Sequence, residues 1–321
     1  MPGDRPLRAV VVGECLIELV GSGPDELTMC AAGDTFNTAS MLARASRALG
    51  SPAEVAYRTA LGDDPLSDVI AEAIRDHGLV DVAVRLPGRA CGLYLLDGAT
   101  GGMWYWRGDS AARALFQGED WVPQAEPGLV FLSLITLQQM SGPARDRAAD
   151  WCAGVRAGGG TVAFSANHRP AGWPSPGAAE AEAARFAGGA DLVFASAADC
   201  RALFGTADPQ AALGWLTELG AAEAIVTAGE GGVSVSAGGS RLDVPAAPPA
   251  ELLDATGAGD AFAGAYLAWR SAGRSPEAAA RAAVRVASRS VTFVGALPRR
   301  GSSDWSAMDR LLTTLSREPL A

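Results

Sequence analysis

Residues 254–262, Asp-Ala-Thr-Gly-Ala-Gly-Asp-Ala-Phe, place a glycine-rich turn directly before an apolar run, with Asp260 at the junction. Glycines in such a turn let successive backbone N–H groups converge on an anion at a helix start, where the dipole also favours negative charge. Gly257, Ala258, Gly259 and Asp260 supply the candidate anion hole. A carboxylate beside that hole can deprotonate a nucleophile. Phosphoryl transfer to an alcohol requires both parts, because it depends mainly on positioning and charge stabilisation. The turn therefore predicts a kinase with Asp260 as general base. The same residues also fit a plainer description, a glycine turn before a helix whose first-turn acid complements the dipole.

Composition narrows the partners. With 321 residues, 49% hydrophobic and 19% charged, the chain can bury a substantial core. Its net charge of -10 argues against a nucleic-acid or anionic-membrane surface, so the expected ligands are small and any phosphate is held by local amides and a few arginines. The chain has no lysine, which excludes a P-loop ending in Gly-Lys-Ser/Thr. Its five cysteines, Cys15, Cys30, Cys91, Cys152 and Cys200, are scattered without a CxxC pair and read as structural thiols of a reducing cytoplasm rather than zinc ligands or disulfides. The start lacks the apolar core of a signal peptide, and no run of about 18 apolar residues suggests a membrane span. A cytoplasmic location is expected.

Short apolar runs alternate with alanine-rich segments, the pattern of parallel strands joined by helices, so the fold class is α/β. Strands are expected at 9–12, 130–134, 161–164, 192–195 and 224–227, and helices at 38–47, 142–157, 209–219 and 260–271. Two segments interrupt the alternation, 15–29 and 91–107. In the second, Gly-Leu-Tyr-Leu-Leu-Asp at 92–97 and Met-Trp-Tyr-Trp-Arg at 103–107 flank the glycine-rich stretch 98–102 and read as a β-hairpin. Such a hairpin inserted in an α/β domain either covers a substrate or is a surface excursion. Residues 245–249, rich in proline, read as a loop before the glycine turn.

The run 254–262 resembles the C-terminal signature of the PfkB, or ribokinase, family of carbohydrate kinases. The resemblance implies a ribokinase-like three-layer α/β/α sandwich, with a mainly parallel sheet and a small β-sheet lid formed by about 14–32 and 90–108. Residues 1–321 would then form one kinase domain. Ala-Gly-Asp-Thr-Phe-Asn at 32–37 resembles the family's N-terminal signature, which implies sugar contacts by Gly33, Asp34 and Asn37. Asp34, Thr35 and Asn37 also suit a helix N-cap, and both roles can coexist.

Further resemblance points to the 2-keto-3-deoxygluconate kinase branch. Gly-Glu-Cys-Leu-Ile-Glu-Leu at 13–19 is similar to its opening strand, and the hairpin implies substrate contacts by Tyr94, Tyr105 and Arg107. Phe-Ser-Ala-Asn-His-Arg-Pro at 164–170 is similar to another stretch of the branch, implying a substrate role for Arg169 and a nucleotide-side role for Asn167. An arginine fork suits a carboxylate, which ribose or fructose lacks. The resemblance implies ATP and Mg2+, with a monovalent cation left open. It places Ser196, Thr227, Gly229, Gly231 and Thr256 near the nucleotide, and Asp199 near Mg2+ through water.

The departures concern the metal and the nucleotide. Ser165 stands where the family usually has Asp, His168 where Tyr is typical, the 196–199 stretch replaces Asn-x-x-Glu, and Thr227 stands where the branch often has Lys. The expected reaction is phosphorylation of the terminal hydroxyl of a sugar acid. The alternatives are another sugar kinase such as a fructokinase, and a silent sugar-binding regulator. Homo-oligomers through exposed lid strands are a further expectation.

Overall fold

The computed structural model describes residues 7–23, 26–96, 102–118, 121 and 127–318. Its first half runs β1 (Arg8–Val12), β2 (Leu16–Gly23), β3 (Glu26–Ala32), α1 (Asp34–Ala48), β4 (Glu54–Arg58), β5 (Ala60–Leu61), α2 (Pro65–Asp76), β6 (Val80–Asp81), β7 (Val84–Arg85), β8 (Gly92–Leu96) and β9 (Met103–Trp106). The second half runs β10 (Leu129–Ser133), α3 (Leu134–Gln139), α4 (Gly142–Ala157), β11 (Thr161–Ser165), α5 (Pro176–Gly188), β12 (Leu192–Ser196), α6 (Ala197–Phe204), α7 (Pro209–Glu218), β13 (Glu223–Thr227), β14 (Val233–Ala237), β15 (Ser240–Val244), α8 (Ala258–Ser271), α9 (Pro276–Ser290) and α10 (Ser303–Ser316).

The main sheet has the order β15-β14-β13-β12-β11-β10-β1-β4-β6. From β13 to β6 every pairing is parallel, whereas β14 and β15 add an antiparallel edge. Helices cover both faces, so the inner strands are apolar on both sides; all five residues of β10 are buried. Alternate strand residues enter opposite cores, as the two-residue repeat requires. Val11, Phe131, Ala163, Phe194 and Ile225 join the core under α1, α2, α8, α9 and α10, while Val10, Val130, Leu132, Phe164 and Val193 join the core under α3 to α7. The result is the expected three-layer α/β/α sandwich.

A second, four-stranded sheet has the order β3-β2-β8-β9. The expected hairpin is β8 and β9, paired antiparallel with Tyr94 opposite Tyr105, and β2 joins it in parallel with Glu18 opposite Tyr94. Residues 98–101 of the expected turn lie outside the described residues. Among the described residues no helix is long and apolar enough to cross a membrane.

Two helix starts differ from expectation. Helix α1 begins at 34 rather than 38, and α8 at 258 rather than 260. In both, the preceding glycine ends the turn, so the polar or glycine residues that read as loop are the first helical turn. The two helices pack with their backbones in close contact: a Cβ on Gly264 of α8 would lie 2.5 Å from the Thr38 carbonyl oxygen of α1. Only a residue without a side chain permits that approach.

Candidate active site

A pocket of about 1000 Å³ opens between the small sheet and the C-terminal ends of β11, β12 and β13, whose last residues Ser165, Ser196 and Thr227 all line it. Crevices beyond the carboxyl ends of strands are where open α/β sheets bind ligands. The first turns of α1 and α8 form the floor with Gly33, Asp34, Asn37 and 257–260; β8 and β9 contribute Tyr94, Tyr105 and the following Arg107; the segment after β11 contributes Asn167, His168 and Arg169.

The helix caps explain this floor. Serine or aspartate side chains cap α2 to α7, α9 and α10. Helices α1 and α8 alone among the described helices start from a glycine, Gly33 and Gly257, with no capping side chain. Their first amides stay available to a ligand. At α8, Ala258 N donates to Ala255 O at 3.3 Å, while the Gly259 and Asp260 amides have no partner among the described residues. Of the four residues expected to supply an anion hole, 257–260, Ala258 is the one whose amide is engaged within the turn. Gly257 has φ 75°, and a Cβ there would lie 2.7 Å from Ala296 Cβ. Asp254 secures the turn, accepting from Thr256 N at 2.8 Å and from Gly295 N at 2.9 Å.

Two carboxamide–carboxylate pairs tie the floor together. Asn37 Nδ2 donates to Asp260 Oδ2 at 2.8 Å, and Asn167 Nδ2 donates to Asp34 Oδ2 at 3.1 Å. Asp260 is surrounded by protein but faces the pocket volume. Burial, then the nearby charge of Asp34, push its carboxyl up to about 7, against the opposing pull of Asn37 and Arg169. A carboxylate titrating near neutrality can take and release a proton at ordinary pH.

Arg107 does not stand free in the pocket. It forms an ion pair with Glu14, a buried acid that also accepts from Ser110 Oγ at 2.6 Å. Burial raises the Glu14 carboxyl, while Arg107 and Ser110 oppose that rise. Tyr94 donates its hydroxyl to the fully buried Glu18, which also accepts from the Cys30 thiol at 3.1 Å. Its ring stacks on Tyr105 with centroids 5.5 Å apart, so Tyr94 offers the pocket a ring rather than a free donor. Arg169 donates to the His168 carbonyl at 2.9 Å and pairs with no carboxylate among the described residues. Burial holds the His168 imidazole below its usual range.

On the opposite wall, Asp199 uses both oxygens locally. Oδ2 accepts from Ser196 Oγ at 2.7 Å and Ser196 N at 3.0 Å, completing a capping box, and Oδ1 accepts from His168 N at 2.9 Å. Gly229 and Gly231 form a short 3-10 turn and do not line the pocket, unlike Thr227 and Thr256. Among the described residues no group of three or more His, Cys, Asp or Glu could hold a metal ion. Mg2+ commonly keeps several waters and binds through one or two carboxylates plus substrate phosphates, so this donor set fits an outer-shell role for Asp199. Sequence reasoning missed Glu14 and Glu18. They are the two acids in the otherwise apolar stretch 13–19, Glu14 just before β2 and Glu18 within it, which is the signal that could have found them.

Comparisons with known proteins agree with this geometry. Residues 7–299 match the pfkB family carbohydrate kinases. A 2-dehydro-3-deoxygluconokinase of Escherichia coli strain K12 is 31% identical over 301 residues, covering 90% of this chain and 96% of that protein. The crystal structure of aminoimidazole riboside kinase from Salmonella enterica, complexed with aminoimidazole riboside and an ATP analogue, is similar with a TM-score of 0.80 at 24% identity, covering 95% of this chain and 99% of that one. Fructokinase from Vibrio cholerae O395, bound to fructose, ADP and calcium ion, has a TM-score of 0.80 at 23% identity over 95% of this chain and 99% of that one. The chain belongs to the pfkB family of carbohydrate kinases and is a sugar kinase, transferring phosphate to an alcohol.

Proposed function

We propose that the chain is an ATP-dependent kinase of a sugar acid, foremost 2-keto-3-deoxygluconate, with residues 1–321 acting as one unit. The observation that carries this reading is that Asp260, beside the two unpartnered amides of α8, shares its pocket with Arg107 and Arg169. The names of relatives about a third identical support the substrate.

ATP lies along the wall of Asn167, Ser196, Thr227 and Thr256, with the transferring phosphoryl group at the Gly259 and Asp260 amides. Asp199 would hold Mg2+ through water beside the phosphates, where the ion would neutralise their charge. Asp34 and Asn37 meet the sugar hydroxyls, and Arg169 meets the carboxylate. Asp260 takes the proton of the terminal hydroxyl as its oxygen bonds to the γ-phosphorus and ADP leaves. The small sheet acts as a lid that excludes water, favouring transfer over hydrolysis. Two copies of the chain pair across its outer strands, where Leu27, Met29, Met103, Trp104 and Trp106 are exposed.

A neutral sugar such as fructose is the second reading, favoured by the ion pair in which Glu14 balances the charge of Arg107. ADP release with ATP and Mg2+ is measured on 2-keto-3-deoxygluconate, 2-keto-3-deoxygalactonate, fructose and ribose, with Asp260→Asn as control. Turnover on a keto-deoxy acid alone, lost in Asp260→Asn, is the expected result. Turnover on fructose alone transfers the assignment to the second reading, and an active Asp260→Asn removes Asp260 from the base role.

A further inference from the structure

Asn37 is 4% exposed, lines the pocket, and belongs to the first turn of α1. A carboxamide carries a donor side and an acceptor side. Its Nδ2 is bonded to Asp260 Oδ2 at 2.8 Å, whereas its Oδ1 is buried without a partner. An orphan acceptor in a buried side chain is costly unless a ligand supplies the donor. The bond to Asp260 is also rigidly set. The two residues stand on helices packed closely against each other at Gly264 and Thr38.

We propose that Asn37, beyond the sugar contact already expected of it, is the positioning residue of the base: its amide N–H pins Oδ2 of Asp260 and leaves Oδ1 for the reacting hydroxyl, while its unpartnered Oδ1 stays free for that sugar contact. This inference rests on the reading of Asp260 as base and deepens it. One side chain thereby sets the distance between the base and the substrate. The charged groups facing Asp260 are Asp34 on α1 and Arg169 after β11. Asp34 opposes ionisation of Asp260; Arg169 and the Asn37 donor favour it. Removing the donor leaves Asp34 less opposed, so Asp260 gains its proton more readily and a higher pH is needed to activate it. A purely structural tie between α1 and α8 makes a different prediction, lower thermal stability with an unchanged pH profile.

The test is the pH dependence of kcat, from pH 5.5 to 9, on whichever sugar the wild type turns over, for wild type, Asn37→Ala and Asn37→Ser, with melting curves for each. In Asn37→Ala the acid limb is expected to move up by about one pH unit, and kcat at pH 7 to fall roughly 10–100-fold with partial recovery at pH 8.5. Asn37→Ser keeps a hydroxyl donor and shows a smaller shift in the same direction; it carries the test alone if Asn37→Ala does not fold. An unmoved acid limb overturns the proposal, whether the loss then lies in the sugar KM, as for a plain sugar ligand, or in the melting temperature, as for a structural tie. Failure of the underlying reading shows separately, as turnover by Asp260→Asn.

Discussion

The two walls of the pocket are made of different material. One side is lined by Glu14, Asp34, Asn37, Arg107 and Arg169, long or charged side chains; an ion pair joins Glu14 to Arg107, carboxamide bonds hold Asp34 and Asn37, and Arg169 pairs with no carboxylate among the described residues. Along β12, β13 and α8 the wall is Ser196, Thr227, Thr256 and the glycine turn, and the Asp199 carboxylate there is bonded to Ser196 and a backbone amide. A wall of side chains selects a ligand by charge and shape, so each residue matters for which ligand enters. A wall of backbone binds phosphate through N–H groups whose direction is set by φ and ψ. Side chains there can drift, as at Ser165 and Thr227, while the backbone geometry cannot.

The contrast can be broken experimentally. On the side-chain wall, Arg169→Ala is expected to raise the KM for a sugar acid about 30–100-fold, the worth of a lost charge-assisted hydrogen bond, while KM for a neutral sugar moves little. Steady-state kinetics on both substrates check it, and equal losses on the two would remove the charge argument. On the backbone wall, Gly257→Ala forces a left-handed residue to carry a Cβ against Ala296, costing about 1–2 kcal/mol or more and lowering turnover with any sugar; denaturant melts and kcat report it.

A pH-dependent effect comes next. The folded state raises the Asp260 carboxyl to about 7, so its neutral form is favoured by the fold. The stability this provides is present below about pH 4 and is lost as pH rises through about 7. Asp260→Asn, uncharged throughout, should therefore melt above the wild type at pH 8, with the gap closing toward pH 4. The smallest effect is expected at Gly259, where an added Cβ meets nothing within 4 Å and φ is not positive. Gly259→Ala should leave stability unchanged or raise it by up to about 1 kcal/mol, against the loss at Gly257 two residues earlier. A melting temperature that drops equally in both variants would show that the turn does not distinguish them.

Most of the frame was legible in the sequence because strand periodicity and apolar runs are local signals. Strand β11 was expected at 161–164 and spans Thr161–Ser165; α4 matches 142–157 at both ends. The site was legible where a motif is contiguous, as at 257–260, and where one residue reaches the pocket by itself, as Arg169 does. What escaped were partnerships between distant segments. Arg107 was expected to contact substrate and does line the pocket, but nothing local to it announces its ion pair with Glu14, more than ninety positions earlier in the chain. Tyr94 was expected to contact substrate; its hydroxyl bond to Glu18 was not foreseen because it exists only once β8 pairs with β2. Gly229 and Gly231 were expected near the nucleotide by resemblance; their 3-10 turn follows β13, and of that stretch Thr227 lines the pocket.

The contact between α1 and α8 also dictates when the pocket floor is complete. Asn37 and Asp260 are 223 positions apart. On a ribosome adding about 5–20 residues per second, roughly 10–45 s separate the emergence of the two. During that interval α1 lacks the helix that covers it, and the pocket has half a floor. Closing so long a loop is also an entropically late event in folding. On the reading of Asp260 as base, a nascent chain holds neither the base nor the amides of 257–260 until that turn emerges, after every strand of the main sheet.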